Sequence, residues 1–364
     1  MRLPAASALL LIGRESSRLR HLFQLEVEES FHPQAVTVCD ECLFVTCPLT
    51  TPLPCITSLR ATTELLFPSV SSHPEQLLDR LGEISLRLDS WDIEVDCVQP
   101  RAPLPQESGR TSTKMLLCSI AQRIEGTPSL YPSRSEVRLR LVETWSGYFI
   151  GTNFDSSFQD QFKRILLQWK RRPFSFSAAL SLELADAVVN ILVHRFTRLT
   201  NASSVTELTF LDPCCGSGTT MFCAFRRGLR SLYGCDISPI AVEGAAKNLK
   251  SVDITDPGVV LERRDSTLPW SPSNRVDIVI ANLPWGENKF EYFGENAKII
   301  HTIGNVTHCY SQVALITQSE LEVDVLNKAG LHAHRTVPID QDSNSNNKRS
   351  GKCFVTFCQR LKTA

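Results

Sequence analysis

The chain has 364 residues, 42% hydrophobic and 21% charged, with 38 Lys plus Arg against 39 Asp plus Glu. That length exceeds what one compact domain usually holds, the composition is that of a folded globular protein, and the balanced charge neither demands nor forbids a nucleic-acid partner. The thirteen cysteines do not have the spacing of a secreted disulfide framework, and no apolar run is long enough to span a membrane.

The first elements in chain order are a strand, Ala8 to Ile12, and a helix after it. Arg2, Arg14, Arg18 and Arg20, with only Glu15 among the acids, give a faint transit-peptide composition, but a strand and helix that fold with the domain are the preferred reading. A cytoplasmic location is expected, with a nuclear or organellar one as the alternative. Cys39, Cys42, Cys47 and Cys55 lie at zinc-like spacing, yet the run CLFVTC reads as a strand with buried cysteines and no metal is expected. Pro74 to Arg87 has a helical pattern, Asp92 to Val98 alternates as a strand, and Gln99 to Ser112 is a looser stretch. A helical run, Lys114 to Ile124, precedes strands at Glu136 to Val142 and Gly147 to Ile150. Residues 1–150 are therefore read as an α+β region in which Trp145 and Tyr148 belong to the core.

Residues 151–177 form a connector with a helix at Ser157 to Trp169 and a basic patch, Lys170, Arg171 and Arg172. From 178 to 364 helices alternate with apolar strands. The helices are Ala178 to Leu199, Thr219 to Arg227 and Ala241 to Leu249. The strands are Leu208 to Leu211, Ser231 to Cys235, Val259 to Arg263 and Val276 to Ala281. Such alternation predicts parallel βαβ units in a doubly wound sheet. Leu331 to Pro338 and Cys353 to Leu361, joined by a polar connection, predict an antiparallel pair at its edge. Between them, only Asn296 to Thr302 looks helical within the crossover Glu287 to Gln312, and a loose substrate loop is expected there.

Four strand ends carry the chemistry. The first runs into Asp212-Pro213-Cys214-Cys215-Gly216-Ser217-Gly218, where glycines let the backbone approach a nucleotide or nucleoside closely. Cys214 and Cys215 read as small residues of the turn, not as nucleophiles. Asp236 ends the next strand about 20 residues later, where an acid accepts ribose hydroxyls; its structural alternative is a helix N-cap. Asp265 ends the third, placed to accept from an adenine amino group. The fourth delivers Asn282-Leu283-Pro284-Trp285. A planar amine is a poor nucleophile because its lone pair is delocalised. The Asn282 amide oxygen and the Leu283 carbonyl can accept its two protons and aim the lone pair at an electrophile, while Pro284 fixes the turn and Trp285 stacks on the base. All four fall where open α/β sheets bind ligands.

The segments DPCCGSG, CDIS, RDS and NLPWG resemble motifs I to IV of the Rossmann-like amino-methyltransferases. Leu283, where most members have proline, is similar to the pattern of the THUMP-domain guanosine N2-methyltransferases. RRPFSFSAALSLELADAVVNIL and EVRLRLVETWSGYFIGTNF resemble flanking stretches of the same enzymes. The resemblance implies a Rossmann-like methyltransferase domain over 178–364 and a THUMP-like part at about 60–150. It implies S-adenosylmethionine held by Asp212, Cys215, Gly216, Gly218, Asp236, Ile237, Asp265, Ser266 and Asn282, with Asn282, Leu283, Pro284 and Trp285 at the reaction. It further implies a substrate in tRNA or another structured small RNA, touched by Lys170, Arg171 and Arg172, and a Trm112-like zinc-binding activator subunit. Two alternatives stay open: methyl transfer to adenine N6, cytosine N4 or protein glutamine, and a catalytically degenerate RNA-binding subunit.

Overall fold

The computed structural model describes residues 8–13, 19–31, 36–39, 42–46, 59–66, 71–83, 87–97, 113–128, 137–144, 147–153, 164–165, 167–175, 179–270, 275–284, 289–340 and 352–360. They form two units. One contains Met1–Arg14, Phe31–Pro54 and Leu59–Asp160, the other Glu15–Ser30, Cys55–Ser58 and Gln161–Ala364. No helix of the described residues is long and apolar enough to cross a membrane.

The first unit is built on one mixed sheet of β1 (Ala8–Gly13), β2 (Val36–Cys39), β3 (Cys42–Thr46), β4 (Leu59–Leu65), β5 (Arg87–Cys97), β6 (Glu125–Pro128), β7 (Val137–Thr144) and β8 (Gly147–Asn153), in the order β2-β3-β1-β4-β8-β7-β5-β6. The helix α1 (Arg20–Phe31) interrupts it in sequence; α2 (Pro74–Glu83) and α3 (Thr113–Ala121) belong to it. Leu77 and Leu81 of α2, one turn apart, pack with Leu116 and Ile120 of α3 against Trp91, Leu139 and Leu141. Tyr148 joins this core, while Trp145 lies outside the described residues. Cys39 pairs with Cys42 in the β2–β3 register; their side chains, and Cys47 and Cys55, also lie outside the described residues.

The second unit is a seven-stranded sheet between helices. Its strands are β9 (Thr209–Asp212), β10 (Ser231–Asp236), β11 (Val259–Arg263), β12 (Val276–Asn282), β13 (Thr307–Thr317), β14 (Leu331–Asp340) and β15 (Lys352–Arg360), in the order β11-β10-β9-β12-β13-β15-β14. The strands from β11 to β13 are parallel, and β15 pairs antiparallel with both β13 and β14. The antiparallel pair expected from sequence thus lies at the edge of the sheet, with the reversed strand β15 on the inside and β14 outermost. Cys353, Val355 and Phe357 point to one side and Cys358 reaches the other, so β15 is buried on both faces as an interior strand must be.

One face of the sheet is covered by α4 (Leu182–Thr200), α5 (Thr219–Arg226), α6 (Pro239–Lys250) and, unexpectedly, α1 from the N-terminal region. Helix α4 starts where the Ser181 hydroxyl accepts the Leu184 N–H, and it ends on Asn201 in the left-handed conformation. Leu22 and Leu25 of α1 join the core, but polar contacts fix its register. Arg227 donates to both carboxylate oxygens of Asp186, at 3.0 and 2.6 Å, and to the Asn190 amide oxygen at 2.9 Å. Asn190 in turn donates to buried Glu26 at 2.8 Å, and Glu29 pairs with Arg195 and Arg198. A neutral replacement of one member would strand buried charge.

The opposite face is covered by α7 (Lys289–Val306) and the short α8 (Val323–Lys328). Helix α7 is much longer than the sequence pattern suggests, and the expected loose loop is absent over its length. Ile299, Ile300, Ile303 and Val306 recur at helical spacing and bury against Val279, Ala281, Val313 and Leu315. Gly304 makes the approach feasible, since a Cβ there would lie 2.0 Å from the Ala329 carbonyl oxygen.

Two half-buried histidines make the stability of this unit depend on pH. Burial and the charges of Arg227 and Arg198 lower the His194 pKa to about 4; burial, with Arg195, His332 and Arg335, lowers that of His334 to about 3. Below the ordinary value of 6.5 the unfolded chain takes up protons that these neutral imidazoles refuse, so their contribution to stability falls as pH drops from about 6.5 to about 4. Denaturant unfolding across that window should show a shallower loss for a His194→Gln, His334→Gln double variant than for the native chain. Equal slopes would contradict the assignment.

Candidate active site

The glycine turn follows β9 directly. Gly216 and Gly218 take φ of 50° and 82°, left-handed conformations that side chains resist. A Cβ on Gly218 would also lie 3.3 Å from the Ala245 Cβ, so its absence lets the start of α5 sit close to α6. The turn is held by backbone bonds from Cys215 N–H to the Cys235 carbonyl and from Gly218 N–H to the Cys215 carbonyl, each 2.8 Å. Asp212 is buried beneath it and accepts from the Cys214 N–H at 3.0 Å and from the Thr220 hydroxyl. Burial pushes its carboxyl up to about 7 against the pull of those two hydrogen bonds. Asp212 therefore shapes the turn. Burial, together with the nearby carboxylates of Asp212 and Asp236, pushes the Cys214 and Cys215 thiols far up, so neither is a thiolate near neutral pH.

At the end of β10, Asp236 divides its carboxylate between two backbone donors. Gly216 N–H donates to Oδ2 at 3.0 Å and Ser238 N–H donates to Oδ1 at 2.9 Å. The helix cap belongs to Ser238, whose hydroxyl accepts the Ala241 N–H, so the N-cap alternative for Asp236 does not hold. Each carboxylate oxygen has a second lone pair, which leaves room for a vicinal diol. Beside it, Ile237 and Ile240 are 65% and 68% exposed, an apolar surface at a strand end suited to a purine face.

Asp265, one residue beyond Arg264 after β11, accepts both the Thr267 N–H (2.9 Å) and the Thr267 hydroxyl (2.7 Å) on Oδ1. Those bonds hold its carboxyl below the usual range, and Oδ2 has no partner among the described residues. Ser266 is buried and donates to the Pro213 carbonyl at 2.5 Å, while its own carbonyl accepts the Thr302 hydroxyl at 2.7 Å. It braces the glycine turn against α7.

The β12 end carries the acceptor motif. Asn282 lies in register with Ile316 of β13, and Leu283 N–H continues the ladder to the Ile316 carbonyl at 3.1 Å. The Leu283 side chain is fully buried among Ile299, Ile303 and Leu315. This explains the leucine: proline has no N–H for that bond. The Pro284 carbonyl accepts from Asn296 Nδ2 at 3.0 Å, pinning the turn to α7. Trp285 lies outside the described residues.

The segment entering the domain is clamped as well. Asn248 accepts the Phe174 N–H at 2.8 Å and donates to the carbonyls of Phe174 (2.9 Å) and Ser217 (3.0 Å). Gly244 makes space for the Phe174 ring, which would sit 2.1 Å from an added Cβ. Of the basic triplet, Lys170 and Arg171 are exposed, but Arg172 folds over Trp169, 5.3 Å from its ring centre, and donates to its carbonyl. Arg171 lines a surface cavity of about 330 Å³ with Arg164, Leu167, Gln168 and Ser251. Asn248, Asn296 and Thr302 were not singled out by sequence; their roles rest on bonds to distant segments.

Residues 170–327 match the family profile of the RMKL-like methyltransferase domain. A type II methyltransferase, M.VspI from Vibrio sp. (strain 343), is 32% identical over 83 residues, which span 22% of this chain and 20% of that protein. TrmN from Thermus thermophilus superposes with a TM-score of 0.52 at 16% identity, covering 97% of this chain and all of its own. SMU.472, a putative methyltransferase crystallised with S-adenosylhomocysteine, does so at 0.50 and 13% identity, covering 98% and 99%. The two solved structures share the fold. The matched segment thus resembles the RMKL-like methyltransferase domain, and the glycine turn, the two carboxylates and exposed Ile237 fit S-adenosylmethionine.

Asp236→Ala removes the acceptor for Gly216 N–H along with the proposed diol contact. Titration with S-adenosylhomocysteine should show affinity lower by about tenfold or more, the range for charge-assisted hydrogen bonds. Unchanged affinity would rule out Asp236 as a cofactor ligand.

Proposed function

We propose that this chain transfers the methyl group of S-adenosylmethionine to the exocyclic N2 of guanosine in tRNA or another structured small RNA. The observation that carries the reading is Asn282-Leu283-Pro284 at the C-terminal end of β12, two strands from Asp236 and one from the glycine turn. When bound, the cofactor supplies a methyl electrophile activated by its sulfonium. The chain's part is positioning. Asp236 receives the ribose hydroxyls, Ile237 lies along the adenine, and Asp265 Oδ2 accepts from the adenine amino group. The Asn282 amide oxygen and the Leu283 carbonyl take the two protons of the guanine amine, drawing its nitrogen out of conjugation. Trp285 stacks on the base. No strong general base is required, because the proton can leave after transfer.

The choice of guanosine in RNA rests on the leucine in the motif and on the resemblance to the THUMP-domain enzymes. In that family an N-terminal THUMP module grips the RNA; the proposal gives that role to the first unit and phosphate contact to exposed Lys170 and Arg171. A Trm112-like subunit is proposed as activator on the same resemblance.

Labelled S-adenosylmethionine with total small RNA, with and without a Trm112-like partner, tests the proposal. Label should appear in N2-methylguanosine and fall by about a hundredfold or more in Asn282→Ala, the usual consequence of losing one aligned polar group at a reacting centre. Label in adenosine, cytidine or protein would overturn the substrate. Failure to bind cofactor would leave the degenerate RNA-binding reading.

A further inference from the structure

Resting on the proposed transfer to guanine N2, we infer that Asn296 selects guanine by accepting the proton on its ring nitrogen N1. Asn296 stands on α7, and its Nδ2 donates to the Pro284 carbonyl at 3.0 Å. That contact fixes the amide orientation, because a carbonyl accepts only from the nitrogen side. Oδ1 is then the other atom. It is buried and has no partner among the described residues. A buried carbonyl oxygen left without a donor is costly, so such an atom marks a place where a ligand donor fits.

Its location narrows the ligand. Asn296 grips the residue immediately after Asn282 and Leu283, the two groups that receive the protons of the acceptor amine. Whatever carries that amine presents its neighbouring edge atom close by. In guanine, the N2 amine is flanked by N3, a bare acceptor, and by N1, which bears a hydrogen and is the one edge donor beside it. In adenine and cytosine, the ring nitrogens beside the exocyclic amines are bare acceptors. An amide oxygen satisfies the first and repels the others, so one side chain both sets the turn and reads the base. Discrimination of this kind, by a site group built for a specific donor, is stronger than discrimination by shape. Glu295 and Lys298, which flank it on the helix, are exposed and take no part.

The test uses an RNA substrate in which the methylated guanosine is replaced by 2-aminopurine, which keeps the N2 amine but has no hydrogen on N1. The full chain, with its activator if one is required, should prefer guanosine by about tenfold to a hundredfold in kcat/KM. Asn296→Leu should erase the preference by lowering the guanosine rate to the 2-aminopurine level. Asn296→Asp keeps an acceptor but loses the donor to Pro284. It should retain the preference while kcat falls on both substrates, a split that a merely structural role would not produce. S-adenosylhomocysteine titration of each variant reports whether the domain is intact. A native enzyme indifferent to 2-aminopurine, or an Asn296→Leu variant that binds cofactor and still prefers guanosine, would overturn the inference while leaving N2 transfer standing. A methyl group found on another base would remove the proposed function itself.

Discussion

The carboxylate of Asp236, shared between the N–H groups of Gly216 and Ser238, holds the second unit's ligand-binding edge in one conformation. Two left-handed glycines give the turn after β9 its shape but no rigidity. Glycine has the most backbone freedom to lose, so the turn needs partners on every side. It has them: Asp212 beneath, the Cys235 carbonyl along the neighbouring strand, Ser266 through Pro213, and Asn248 through Ser217. Apart from Asp212, these come from three segments distant in sequence, so the turn can only form once the sheet has assembled.

The same logic extends outward. Asn248 ties the glycine turn to Phe174 and so to the segment entering the domain, while Asn296 and Thr302 tie the β11 and β12 ends to α7. Asn248 and Thr302 each meet more than one backbone group at once, and Asn296 meets one. On the far side of α4, Arg227 organises Asp186, Asn190 and Glu26 into a buried network that holds α1. A helix from the N-terminal region thereby belongs to the second unit. The neutral histidines His194 and His334 sit among the arginines of this region, where a further positive charge is disfavoured.

Four of the five parallel strands were legible in sequence because they are short apolar runs bounded by glycine, serine and acidic residues. The positions of Asp212, Asp236 and Asn282 at the ends of their strands were legible because each closes an apolar run. Three features were not. The length of α7 depends on Ile303, Gly304 and Val306 meeting β13 and Ala329, contacts with no local signal. Strand β13 opens on the polar run Thr307 to Gln312 and is defined by its parallel pairing with β12, which no local pattern announces. The bracing amides Asn248 and Asn296 are ordinary helix residues until their partners, 74 and 12 positions away, are known. Arg172 shows the reverse case. A basic triplet suggests three equivalent surface charges, yet the Trp169 ring and carbonyl remove one of them.

The central claim is that four strand ends form one cofactor and acceptor site with Asp236 at its centre. A crystal structure of the full chain with S-adenosylhomocysteine tests it most directly. The account predicts the ribose hydroxyls on Asp236, the adenine ring along Ile237 with its amino group at Asp265, and the sulfur facing Asn282. A ligand bound elsewhere, or bound here with Asp236 still engaged only with Gly216 and Ser238, would contradict it.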